Sequence, residues 1–146
     1  MLRGSYPAKI DDKGRLKLPS AFKAFVEEQH GTKLYVTSIT GDSVLIYPMP
    51  VWEEVEQRVE RMPSSHPARK KFSKRASYFG QSLEFDAQGR VLISPRLRET
   101  AGITGDVDVL GQGNFLEVWN HDRFLSTLQR EPFTDDDARA LAEFGI

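Results

Sequence analysis

Two stretches of this chain alternate apolar and polar positions in the same way. KIDDKGRLKLP (residues 9–19) and EFDAQGRVLISP (84–95) each run from a strand-like end, through Asp-x-x-Gly, into a short alternating segment. Side chains alternate across a strand, so Leu16 and Leu18 share an inward face while Arg15 and Lys17 share the other. In the second copy Val91 and Ile93 turn inward, and Arg90 and Leu92 turn outward. Asp11 and Asp86 are expected to cap their own turns, with Gly14 and Gly89 taking the positive φ that closes each hairpin. The predicted strands cover residues 6–10 and 15–18 in the first copy, 83–85 and 90–93 in the second.

The apolar period then lengthens to that of a helix. Pro19 and Pro95 open short helices whose buried stripes are Phe22, Phe25 and Val26 in one case, Leu97 and Ala101 in the other, with Gly102 as terminator. A second hairpin follows in each half. KLYVTSI and SVLIYP flank Gly41-Asp42, and VDVLG and NFLEVW flank Gln112-Gly113. One closing helix starts near Pro50 and buries Trp52, Val55 and Val59. Its counterpart starts after Asn120 as N-cap and buries Phe124, Leu125 and Leu128. HPARKKFSKRASYF (66–79) reads as a helix turning Phe72, Ala76 and Phe79 toward the protein. TDDDARALAEF (134–144) reads as another, opened by a capping box of Thr134 and Asp137.

The box is thus a repeat. Asp11, Gly14, Arg15, Leu16 and Leu18 align with Asp86, Gly89, Arg90, Val91 and Ile93 at a constant offset of 75 (86 − 11). Beyond it the offset becomes 72, matching Tyr47 with Trp119 and Trp52 with Phe124. The expected organisation is a β-β-α-β-β-α unit at 1–62, a basic helical connector at 63–79, a second such unit at 80–133 and a C-terminal helix at 134–146.

Composition narrows the function classes. The chain has no cysteine, which excludes disulfides and thiolate ligands. No segment approaches bilayer-spanning length or a signal-peptide core, so a soluble cytoplasmic protein without membrane partners is expected. The net charge of −1 hides an imbalance: residues 1–80 carry 14 Lys+Arg against 9 Asp+Glu, residues 81–146 carry 6 against 12. A nucleic-acid contact would therefore need a local basic face built mainly from the first half. His30, His66 and His121 are scattered without ligand spacing, and Asp135, Asp136 and Asp137 answer to a helix dipole, so no metal or other cofactor is expected. GQGN (111–114) is a hairpin turn rather than a dinucleotide fingerprint, and no nucleophile elbow is present; neither an enzyme nor a small-molecule substrate is expected.

MLRGSY…DDKGRLKLP followed by FDAQGRVLISPRLRETAGI resembles the MraZ family of bacterial transcriptional regulators, of the AbrB-like, swapped-hairpin class, across essentially the whole chain. The resemblance implies an α+β fold in which the duplicated halves interlock into one β-barrel with peripheral helices. It also implies a homo-oligomeric ring and binding to double-stranded DNA at tandem short repeats, in the promoter of the division and cell-wall gene cluster. Location at the nucleoid would follow.

Lys13, Arg15 and Lys17, with Arg3 and Arg90, are the expected DNA contacts; Asp11, Gly14, Asp86 and Gly89 form the turns. From the residues alone, the first three serve equally well as charges that keep a strand edge soluble. Arg69, Lys70, Lys71, Lys74 and Arg75 are either a solvated helix face or a source of non-specific phosphate attraction. The second box departs from the family pattern. Ser94 replaces the first of two adjacent prolines, and Gln88 and Leu92 stand where the first box has Lys13 and Lys17. Box one is thus the expected reader, with box two contacting DNA weakly or not at all and Leu92 serving as a packed subunit contact. The alternative from another class is an antitoxin-like interaction or scaffold module that does not bind DNA.

Overall fold

The two halves exchange strands instead of folding side by side. A computed structural model describes residues 1–146. The first half contributes β1 (Ser5–Ile10), β2 (Arg15–Lys17), α1 (Ser20–His30), β3 (Lys33–Thr37), β4 (Val44–Pro48) and α2 (Met49–Glu60). A connector helix, α3 (Pro67–Tyr78), leads into β5 (Gln81–Glu84), β6 (Arg90–Leu92), α4 (Pro95–Ala101), β7 (Gly105–Gly111), β8 (Leu116–Asn120) and α5 (His121–Arg130). The tail helix α6 spans Asp135–Ala142.

All eight strands form one antiparallel sheet in the order β5-β3-β4-β8-β7-β1-β2-β6, and its two edge strands lie beside each other to bring the barrel nearly to closure. β1 pairs with its own return strand only at Ile10↔Leu16, but with β7 of the other half from Ser5↔Leu110 to Ile10↔Gly105. The mirror arrangement pairs β5 with β3, from Val36↔Gln81 to Lys33↔Glu84. Two further ladders, β2–β6 and β4–β8, join equivalent strands of the two halves. This is the α+β interlocked, AbrB-like swapped-hairpin barrel that the family resemblance implies.

The alternation decides which faces close the barrel. Leu16, Val91 and Ile93 are completely buried, with Leu18 almost so, in a cluster that also takes Leu34, Val36, Ile46 and Val118 from the other strands. Burying each such side chain contributes roughly 1.5–3 kcal/mol before chain entropy is charged against it. Neither half encloses a core alone, because each ladder between halves carries inward residues from both.

The helices sit outside. Trp52 of α2 is buried against Tyr35, stacked at 4.7 Å, and Tyr47, tilted at 5.1 Å. α3 covers that cluster. Its N-cap His66 accepts the Ala68 N–H at Nδ1 (3.0 Å), and Phe72 stacks on Trp52 at 6.0 Å. The buried Ala76 offers its carbonyl to the hydroxyls of Tyr35 and Thr37, both at 2.9 Å. α6 begins with the capping box predicted for Thr134 and Asp137.

Four sequence expectations shift. Val55 and Val59 are only half-buried, since α2 turns Val51 and Trp52 to the barrel. Leu125 and Leu128 are not buried: they are 45% and 54% exposed. Only Phe124 packs, against Trp119 at 5.4 Å, and no ring from another helix stacks on that pair as Phe72 of α3 stacks on Trp52. The strand expected at 83–85 runs from Gln81, since its register is set by β3 rather than by its own hairpin. α2 starts one residue before Pro50, at Met49.

Candidate nucleic-acid interface

Each box folds around one carboxylate. Asp11 Oδ1 accepts the backbone N–H groups of Lys13 (3.0 Å) and Arg15 (2.8 Å), while Oδ2 accepts Nε–H of Arg15 at 2.7 Å. Asp86 repeats the set with Gln88 (2.9 Å), Arg90 (2.9 Å) and Arg90 Nε (2.8 Å). Gly14 and Gly89 close the turns at φ +84° and +75°, donating to the carbonyls of Asp11 and Asp86, each at 3.0 Å. The Arg15 backbone N–H, then the Arg15 side chain, hold the Asp11 carboxyl below its ordinary 3.8 against an opposing effect of burial. Asp86 is lowered in the same way, first by the Arg90 backbone N–H and then by its side chain. Both carboxylates are therefore turn-formers that also aim an arginine, and only Nε of each guanidinium is engaged within the chain.

The sheet then brings the boxes together. In the β2–β6 ladder Arg15 faces Leu92, Leu16 faces Val91 and Lys17 faces Arg90. Residues opposite one another share a face, so the inward pair seals the barrel while Arg15, Lys17, Arg90 and Leu92 form one outer patch. Leu92, 49% exposed, lies across from Arg15 on that patch. Lys13 projects from the adjoining turn, exposed. Such a patch offers two oriented guanidinium forks and two mobile ammonium groups to an anionic partner.

The model of the MraZ protein family, whose description calls it antitoxin-like, matches residues 1–75 and 80–144. The chain belongs to the MraZ family. It is 49% identical to a protein of Acidobacterium capsulatum over 146 residues, covering the whole of both chains. It is also 42% identical over 147 residues to one of Koribacter versatilis, again over the full length of both. A protein of Herpetosiphon aurantiacus shares 37% over 151 residues. All three are named transcriptional regulator MraZ.

Other cations of this MraZ-family chain lie elsewhere. Arg3 belongs to a segment tied to the β7–β8 loop, where Leu2 donates to the Gly113 carbonyl at 2.6 Å, and not to β2 or β6. On α3, Arg69 donates to the Met62 carbonyl (2.5 Å) and Arg75 to that of Ile39 (3.3 Å), which makes both structural links. Lys70, Lys71 and Lys74 are exposed and have no carboxylate partner.

Two residues that the sequence reading missed touch the turns directly. Arg98 of α4 lies against Gly14, and Lys23 of α1 lies against Gly89. Their separation is the same 75 (98 − 23), so the box offset carried into the helices was the signal that could have found them. No group of three or more His, Asp and Glu side chains is gathered for a metal, and no helix is long and apolar enough to cross a membrane. His121 instead pairs singly with Asp108 at 2.7 Å.

Proposed function

We propose that this chain is a transcriptional regulator that binds double-stranded DNA through the outer face of the β2–β6 ladder and the turn beside it. The observation that carries the reading is the meeting of exposed Lys17 with half-buried Arg15 and Arg90 on one outer face, both guanidinium groups oriented by their own carboxylates. An arginine held at Nε keeps its terminal amino groups for a guanine edge or a phosphate and loses little further side-chain freedom on contact. The names of the relatives support the same reading. Lys13 adds a phosphate contact at the tip, Arg3 a flanking one, and Lys70, Lys71 and Lys74 a sequence-independent attraction.

One ladder supplies few contacts, so the operator is read by several copies of the chain assembled as a ring on tandem short repeats. The unequal cover of the two halves supports self-association: α3 lies on α2, whereas Leu125 and Leu128 of α5 and Phe144 and Ile146 of the tail stand exposed. The target implied by the family resemblance is the promoter of the division and cell-wall gene cluster, which sets the protein in the cytoplasm at the nucleoid. The same exposed apolar residues favour a second reading, an antitoxin-like interaction module without DNA binding.

Titrating a tandem-repeat promoter duplex at two salt concentrations, with the oligomer followed by light scattering, separates them. The DNA reading expects affinity to fall steeply with salt and Arg15→Ala to lose at least about tenfold. Undiminished binding by that variant in an intact oligomer removes the ladder as the contact surface. Assembly without a shift at either salt concentration favours the interaction module.

A further inference from the structure

We infer that Arg98, in the second half of the chain, is a positioning residue for the first half's turn, fixing where Lys13 and Arg15 point. The inference rests on the DNA-binding reading for its consequence, but not for its geometry. From α4 the Arg98 side chain crosses to the other half's box, where one terminal amino group donates to the Asp12 carbonyl at 3.2 Å. Its guanidinium lies close against Gly14: a Cβ there would stand 2.8 Å from Nε and 2.9 Å from Cζ. The Gly14 carbonyl in turn accepts the Ile93 N–H at 2.7 Å, so the turn is clasped between β6 and α4.

Nε of Arg98 is buried without a hydrogen-bond partner. Arg98 is therefore held on the turn by close contact with Gly14 and by its one hydrogen bond to the Asp12 carbonyl. Since Asp12 and Gly14, the two residues that Arg98 touches, flank Lys13, removing the guanidinium frees the two backbone N–H···Asp11 bonds that orient the turn.

The pseudo-equivalent contact sharpens the assignment. Lys23 lies on Gly89 chiefly with its aliphatic stem, a Cβ there standing 2.7 Å from Cε and 3.8 Å from Nζ. Its ammonium is taken by Glu27 at 2.6 Å and sits 5.5 Å from the centre of the Phe85 ring. No hydrogen bond runs from Lys23 to the backbone of turn two. Each turn is therefore braced by the other half's helix, but only turn one, the one that carries a lysine at its tip, is held by a hydrogen bond to its backbone. The reading element of the first half takes its geometry from the second.

Amide hydrogen exchange on the DNA-free protein tests the brace. Arg98→Ala should raise exchange about tenfold at Lys13 and Arg15 while leaving Gln88 and Arg90 unchanged, and Lys23→Ala should spare turn one. Arg98→Met, which keeps the stem and loses the donors, serves if the alanine variant does not fold; unchanged exchange at Lys13 and Arg15 in either variant overturns the inference. DNA titration then reads the consequence. Preference for an upstream-region duplex over a shuffled duplex of equal length should fall about tenfold with the salt slope unaltered. A slope reduced by about one unit makes Arg98 a phosphate ligand itself and overturns the positioning role. Wild-type protein that binds neither duplex removes the DNA reading, while the exchange result still decides the brace.

Discussion

Turn one and turn two have nearly the same backbone and different surfaces. In both, one aspartate accepts two backbone N–H groups and an arginine Nε, a glycine closes the loop, and a basic side chain of the opposite half covers that glycine. What differs is what the tip presents and how it is held: Lys13 under a hydrogen-bonding Arg98, Gln88 under the stem of Lys23. After duplication, the residues that make the turn are constrained by local geometry in both copies. Those that face solvent are free to diverge. The barrel then returns Arg90 to the first copy's surface by pairing it with Lys17, so the two boxes share one patch.

The largest effect expected is on the shared floor of that patch. Leu16→Ala leaves a void under both boxes and should lower stability by about 2–5 kcal/mol in denaturant melts. A much smaller loss would mean that the ladder is not the joint between halves. Next, Arg15→Ala should weaken specific DNA binding by about tenfold or more and Arg90→Ala by less, measured as duplex titrations. Equal losses would erase the distinction between the boxes.

A methyl group separates the turns more directly. At both glycines a substitution meets left-handed backbone, which is unfavourable by roughly 1–2 kcal/mol. At Gly14 the new Cβ also meets a backbone carbonyl, that of Ile93, at 2.6 Å, whereas at Gly89 it meets only the flexible Lys23 stem. Gly14→Ala should therefore lower the melting temperature more than Gly89→Ala.

Acid should affect the two alike. Both aspartates are held below their ordinary value of 3.8, chiefly by backbone N–H groups of Arg15 and Arg90. A depressed carboxylate stabilises the fold above its unfolded pKa, and that contribution is lost as pH falls through the folded value. As pH falls below 3.8, the protection of the Lys13 and Gln88 amides, measured against their intrinsic exchange at each pH, should be lost together, and Asp11→Asn should uncouple turn one from this response. The smallest effect is a gain: Gln88→Lys should strengthen DNA binding a few-fold and steepen its salt dependence if turn two lies near the duplex, and change nothing if it faces away.

Much of this was open to sequence reading because its causes are local. The Asp-x-x-Gly turns, the inward Leu16 and Val91, the outward Arg15 and Arg90, the Thr134 capping box and the helix at 66–79 depend on residues within a few positions of one another. Leu125 and Leu128 went wrong for the complementary reason. An amphipathic pattern states that a face is apolar, and only a neighbour decides whether it is covered. The pairing of Lys17 with Arg90, and the reach of Arg98 to Asp12 across 86 positions of sequence, left no mark in periodicity.

By itself, then, the sequence determined the duplicated turn chemistry, the inward and outward faces of each short strand, and the caps of the helices. Tertiary structure alone decided that equivalent strands pair with each other, that both boxes open onto one surface, and that each turn is braced from the opposite half. Hydrogen bonds and alternation act over neighbouring residues and are written along the chain. Strand edges and apolar faces are indifferent to where their partners come from, so their pairing is settled only by the packing of the whole barrel.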